Sequence, residues 1–173
     1  MINFLTHFSN IAMYKRFCLY MLACFIFLPI FLSSSFANGN HPNYEKFADK
    51  PLAVILEDIE FAITEHNLRI VDRLHIGQAI RQRGNENFPD YEIILYCSIT
   101  FAEKMLELEP ELINACPGRI SVRGQESSYI ISAPLWPEHN DNPDLNELMF
   151  NMNKLVRNIV DYAALDWMDN YEK

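Results

Sequence analysis

The chain has 173 residues, half of them hydrophobic, with a formal net charge of −9. That length suits one domain. The acidic balance argues against a protein that holds nucleic acid or an anionic membrane by charge, and is read more simply as solubility.

The N-terminus reads as an export signal. Phe17 to Leu32 contains neither a charged residue nor a glycine. Lys15-Arg16 stands before it and Ser33-Ser34-Ser35-Phe36-Ala37 follows. A basic start, an apolar stretch and a small-x-small end at Ser35 and Ala37 predict cleavage after Ala37. An uncleaved anchor is the alternative, but 16 residues span only about 24 Å against a hydrocarbon core of about 30 Å. Met13-Tyr14-Lys15-Arg16 makes a tidier start than Met1. Cys24 resembles a lipid-attachment cysteine, yet Phe25 to Leu32 continues the apolar run that such a residue should close. Localisation is therefore expected to be periplasmic or secreted. The mature chain would be Asn38 to Lys173, with 12 basic and 23 acidic residues, 12 − 23 = −11.

The expected domains are residues 1–37 as signal, 38–48 as a flexible segment and 49–173 as one folded domain. Within 38–48 a short strand is conceivable at Tyr44 to Phe47. Asp49 reads as an N-cap with Pro51 in the first turn. Apolar residues at 52, 55, 56, 59, 62 and 63 predict a helix from Pro51 to His66, stopped at Asn67. Leu68 to Ile76 alternates as a strand, with Arg69, Val71, Arg73 and His75 on one face. The polar stretch 77–87 reads as a loop with a helical turn at 78–83. Tyr91 to Cys97 is apolar on both faces and so reads as a central strand. Ser98 caps a helix that Pro110 stops near Glu109. Gly118 to Arg123 and Ser128 to Ala133 form a hairpin. Asn142-Pro143 opens a long final helix with a stripe from Leu145 to Ala163. The expected fold class is α+β, a two-layer sandwich. It has a mainly antiparallel sheet of four or five strands, helices on one face and the long C-terminal helix.

Several phrases resemble the family catalogued as domain of unknown function 302, over Asp49 to Pro137. The most specific are Leu95-Tyr96-Cys97-Ser98, Phe101-Ala102-Glu103-Lys104-Met105-Leu106, Glu109-Pro110, Pro117-Gly118-Arg119-Ile120-Ser121-Val122 and Tyr129 to Pro134. The resemblance implies a small α/β domain that forms a homodimer and has no established activity. Two departures stand out. Ser98-Ile99 replaces the family's Asn-Pro after the first cysteine. Cys116-Pro117-Gly118 puts glycine where the family tends to have its second cysteine. Cys97 carries over from the family; Cys116 is only a near neighbour of the family position.

Chemistry has few places to reside. Cys97 ends a strand at a helix N-terminus, where the dipole favours a thiolate. Cys116 lies 19 positions on. The return from Glu109 spans about 25 Å extended, enough to come back along a helix of about 18 Å. A structural disulfide worth about 3 kcal/mol, two inert buried thiols and a redox-active or ligand-binding pair all remain open. No Cys-x-x-Cys supports the redox reading. Arg69, Arg73 and His75, with Arg119 and Arg123, are candidates for an anion-binding patch; pairing with acids such as Glu92 is the alternative. His41, His66, His75 and His139 show no ligand spacing, so no metal site is expected. Met149, Met152 and Met168 with Trp136, Tyr162 and Trp167 make a core or dimer contact; the wall of a heme or hydrophobic-ligand pocket is the alternative. No phosphate loop, nucleophile elbow or paired carboxylates occur. The sequence specifies no cofactor. The expectation is a non-enzymatic binding or accessory module of the envelope, recognising a small ligand or an envelope protein. A thiol-dependent redox or electron-transfer protein using Cys97 and Cys116 is the alternative.

Overall fold

The computed structural model describes residues 42–138 and 141–166. Residues 1–37, His41, His139, Trp167 and Met168, all drawn on above, lie outside them. Among the described residues five strands and four α-helices follow in the order β1 (Asn43–Ala48), α1 (Leu52–Glu65), β2 (Arg69–His75), α2 (Ile76–Arg81), β3 (Tyr91–Cys97), α3 (Ile99–Leu108), β4 (Gly118–Gln125), β5 (Ser128–Pro134) and α4 (Pro143–Ala164). A 3-10 turn, Pro110–Ala115, joins α3 to β4.

The strands form one antiparallel sheet in the order β1-β5-β4-β3-β2. The fold is the expected α+β sandwich. Helices α1 and α4 cover one face. Alternation along each strand sends Ile94, Tyr96, Ile120, Val122, Ile131 and Ala133 toward them, and all six are buried. The helices answer with Ile55, Ile59 and Ile63 from α1 and Val156, Ile159 and Val160 from α4, each fully buried. Apolar spacing of three and four residues places those side chains on one stripe.

Local signals set most of the boundaries. The Ser98 hydroxyl accepts the Phe101 amide at 3.2 Å, the N-cap bond expected of serine at that position. The Asn142 side chain accepts the amides of Asp144 and Leu145. Asn67 takes φ 57°, the left-handed turn that ends α1.

Three expectations are corrected. Residues 43–48 are an ordered edge strand, which contains the short strand read at Tyr44 to Phe47, because β1 pairs along its whole length with β5; the flexible reading of 38–48 does not hold there. Asp49 does not cap α1: Pro51 occupies that position without a side-chain bond. The polar stretch after β2 opens directly into α2 at Ile76. Gly77 is required there, since a Cβ would lie 2.6 Å from the Pro89 carbonyl oxygen.

Candidate functional site

Two chain segments bring the cysteines together. Cys97 ends β3 just before the α3 cap. Cys116 ends the 3-10 return before β4, and its bond to Pro117 is cis. The return is long enough to fold back along α3, and the two Sγ atoms stand 3.2 Å apart. Both are free thiols and both are half-buried. Burial first, then the hydrogen bond and charge of Cys97, push the Cys116 thiol up to about 11. Cys116 therefore stays protonated at neutral pH and is a weak nucleophile.

Position 118, two residues on from Cys116, has no room for a side chain as Tyr96 is placed. A Cβ at 118 would lie 2.6 Å from Cζ of Tyr96, its cross-strand partner. The Tyr96 ring covers the glycine, is itself buried, and has its phenol pushed up by that burial.

Beside the thiols lies a cleft of about 330 Å³. Its apolar walls include Leu112, Ala115, Pro134, Leu135 and Trp136, and Glu111, Asn114 and Arg119 bring polar groups. Trp136 is held in place rather than loosely laid. Its amide donates to Asn153 Oδ1 at 2.7 Å, and Asn153 Nδ2 donates to the Trp136 carbonyl at 2.9 Å and to Glu138 at 2.7 Å. Asn153 is 2% exposed in the middle of α4. A buried amide survives there because its donors and acceptor are used. The indole also packs against Phe101, with ring centroids 5.8 Å apart. A second void of about 20 Å³ connects this region to the sulfurs, bordered by both cysteines and by Trp136, Tyr96, Ala115 and Gly118.

The basic candidates divide. A β-bulge between Ile70 and Asp72 inserts Val71 as an extra residue and reverses the alternation. Arg69 pairs with Cys97 before the bulge, whereas Arg73 and His75 pair with Ile94 and Glu92 after it. Arg69 therefore lies on the face away from α1 and α4, and Arg73 and His75 lie on the helix face. The shared face expected for the three residues is corrected by that one inserted residue. Arg73 pairs with Glu60 of α1, its Nη2 at 2.7 Å, and the bond and charge of Glu60 raise the guanidinium further. His75 Nδ1 lies 2.6 Å from a Glu92 oxygen, on a carboxylate only 7% exposed. Arg119 and Arg123 share a face with Arg69, opposite Leu95 and Tyr91. Among the described residues neither has a carboxylate within ion-pairing distance, and only Arg119 reaches the cleft.

The pocket reading of Trp136 had its sequence signal in the set of methionines and aromatics that includes Met149, Met152 and Tyr162. Leu112, Glu111 and Asn153 had none, since each looks like an ordinary helical residue. Among the described residues no group of three His, Cys, Asp or Glu side chains is placed to hold a metal. No helix there is long and apolar enough to cross a membrane.

The architecture and the site define a small α+β domain with a thiol pair set beside a cleft at one end of its sheet. The chain belongs to the family described as Domain of unknown function DUF302, which matches residues 44–162. That match reaches beyond Pro137 into α4, whose Asn153 secures the cleft wall. The fold is similar to the crystal structure of an uncharacterized conserved protein DUF302 from Bacillus stearothermophilus. The two are 14% identical, with a TM-score of 0.63 over 70% of this chain and 97% of that one. Among curated proteins none matches.

Proposed function

We propose that this chain is exported, is cleaved after Ala37, and acts as a non-enzymatic binding module of the cell envelope. Its ligand is a small, mostly apolar molecule with a polar head. The observation that carries this reading is the cleft. An apolar wall led by Trp136, with a few convergent polar groups and a volume of about 330 Å³, is the usual form of a small-molecule site. Arg119 and Glu111 supply one charge of each sign to orient the head. Export rests on the three-part N-terminal pattern. A homodimer accords with the sheet face away from the helices, where Phe47 stands 67% exposed.

A native mass spectrum of the protein isolated from its host's envelope fraction tests all three parts. The expected species begins at Asn38, is dimeric, and carries a mass that leaves on denaturation. Ala115→Trp, which fills the cleft, should remove that mass. A bare wild-type protein would sink the binding reading. A species retaining Phe17 to Leu32 would sink cleavage.

The 3.2 Å sulfur separation favours a second reading, a thiol-dependent redox protein. The pair would close by exchange with a disulfide, which takes up the two electrons and two protons that the thiols release. A measured dithiol–disulfide potential within the range of envelope thiol oxidants supports it. A bond that glutathione cannot reduce makes it a staple instead.

A further inference from the structure

The small void at the thiols has more than two sulfur-bearing walls. Met105 of α3 and Met152 of α4 border the same space of about 20 Å³ as Cys97 and Cys116. Four sulfur-bearing side chains thus arrive from four segments: the end of β3, α3, the 3-10 return and α4. Met105 is fully buried and Met152 is 6% exposed. No carboxylate or imidazole borders the void. Ser98 and Tyr96 are the only residues lining it whose side chains carry an oxygen. Thiolate and thioether are the donors that select a soft d10 ion. The space is about that of one small guest, since roughly 10–15 Å³ of such volume admits a water.

We propose that Cys97, Cys116, Met105 and Met152 form a binding site for a single Cu(I) ion. The site adjoins the cleft, sharing Tyr96, Ala115, Gly118 and Trp136 with it, but does not rest on the ligand reading above. With metal–sulfur bonds of about 2.3 Å, two sulfurs at a tetrahedral four-coordinate ion stand about 3.8 Å apart. The thiols would therefore open by about 0.6 Å from their present 3.2 Å contact, a small side-chain rotation. Cys116 can supply it, because it stands on the return between the 3-10 turn and β4. Binding is an acid–base reaction with no electron transfer: each thiol releases one proton to solvent as its metal–sulfur bond forms. Two thiolates and one Cu(I) leave a single negative charge. The N-terminus of α3, which begins just after Cys97, favours that sign. A Cys97–Cys116 disulfide would remove both thiolate donors, so the oxidised and copper-bound forms exclude each other.

The test is an anaerobic titration of the reduced protein with Cu(I) against a chromophoric Cu(I) chelator, alongside X-ray absorption at the copper edge. The expected result is one Cu(I) per chain in a shell of sulfur alone. Affinity should rise with pH, by up to about 100-fold per unit between about pH 6 and 8, because two protons leave. Met105→Leu and Met152→Leu keep volume and apolarity, so both should fold; each should weaken binding about tenfold and lose one sulfur from the shell. Cys116→Ser should abolish the site. No binding by the reduced wild type would overturn the proposal. So would unchanged affinity and coordination in both methionine variants, or retained binding in Cys116→Ser. Melting curves of each variant without metal separate lost binding from lost fold.

Discussion

The two hydrophobic clusters of the domain are built to different standards. The larger lies between the sheet and helices α1 and α4, where Ile55, Ile59, Ile63, Val156, Ile159 and Val160 are sealed from water. The smaller joins α3, the 3-10 return and the start of α4 through Met105, Leu145 and Met149, and leaves Phe101, Leu112, Cys116 and Trp136 only partly covered. β-Branched side chains with few rotamers dominate the first, which has Met152 as its one buried methionine, whereas two of the three buried residues of the second, Met105 and Met149, are flexible methionines. The first holds the fold; the second leaves room for a thiol pair, a void and a cleft. Binding sites concentrate where packing is incomplete, because a fully packed interior has no space for a guest.

That contrast can be broken from either side. Ile59→Ala empties a sealed position and should cost about 2–5 kcal/mol in urea unfolding, with cleft and sheet lost in one transition. A loss under 1 kcal/mol would mean that the first cluster is no tighter than the second. Gly118→Val forces a side chain into the Tyr96 ring and should cost about 1–3 kcal/mol. Tyr96→Ala in the same chain should restore part of it, since the collision is with that ring. Asn153→Ala leaves the Trp136 amide and carbonyl unpaired and should cost about 1–3 kcal/mol. It should also redshift indole emission, whereas an unchanged spectrum would show that the strap is held by packing alone. The smallest effect is a pH dependence. The Cys116 thiol is held up to about 11 from an ordinary value of 9.0. Between these values the unfolded chain has released a proton that the folded chain keeps. Stability is therefore full below about pH 9 and falls as pH rises toward 11. Tyr96, raised by burial, acts in the same direction at the alkaline end. Melting temperatures of the reduced protein from pH 8 to 11 should fall, and Cys116→Ser should flatten part of that fall. An identical slope in the variant would assign the effect to tyrosine alone.

Much of the frame was legible because its signals are local. The stripe of α4, the alternation of β4 and β5, the Ser98 and Asn142 caps and the left-handed Asn67 each depend on residues within a few positions of one another. Two local inferences failed for non-local reasons. The strand signal in 38–48 reached only Tyr44 to Phe47, and pairing with the open edge of β5 orders the whole of 43–48. The basic face dissolved at the Val71 bulge, which no alternation pattern announces and which sends Arg73 to Glu60 and His75 to Glu92.

The sequence by itself determined most of the elements, the Ser98 and Asn142 caps and the fold class, because hydrophobic period and capping chemistry are written over short spans. It also marked Cys97 and Cys116 as a pair worth watching, without saying whether they meet. Only the tertiary structure decided that. It set the sulfurs 3.2 Å apart, put two methionines beside them, and used a buried asparagine 17 residues away to fix Trp136 over the cleft. Those contacts join residues far apart in the chain, and their existence depends on how the strands and helices pack rather than on any run of neighbours.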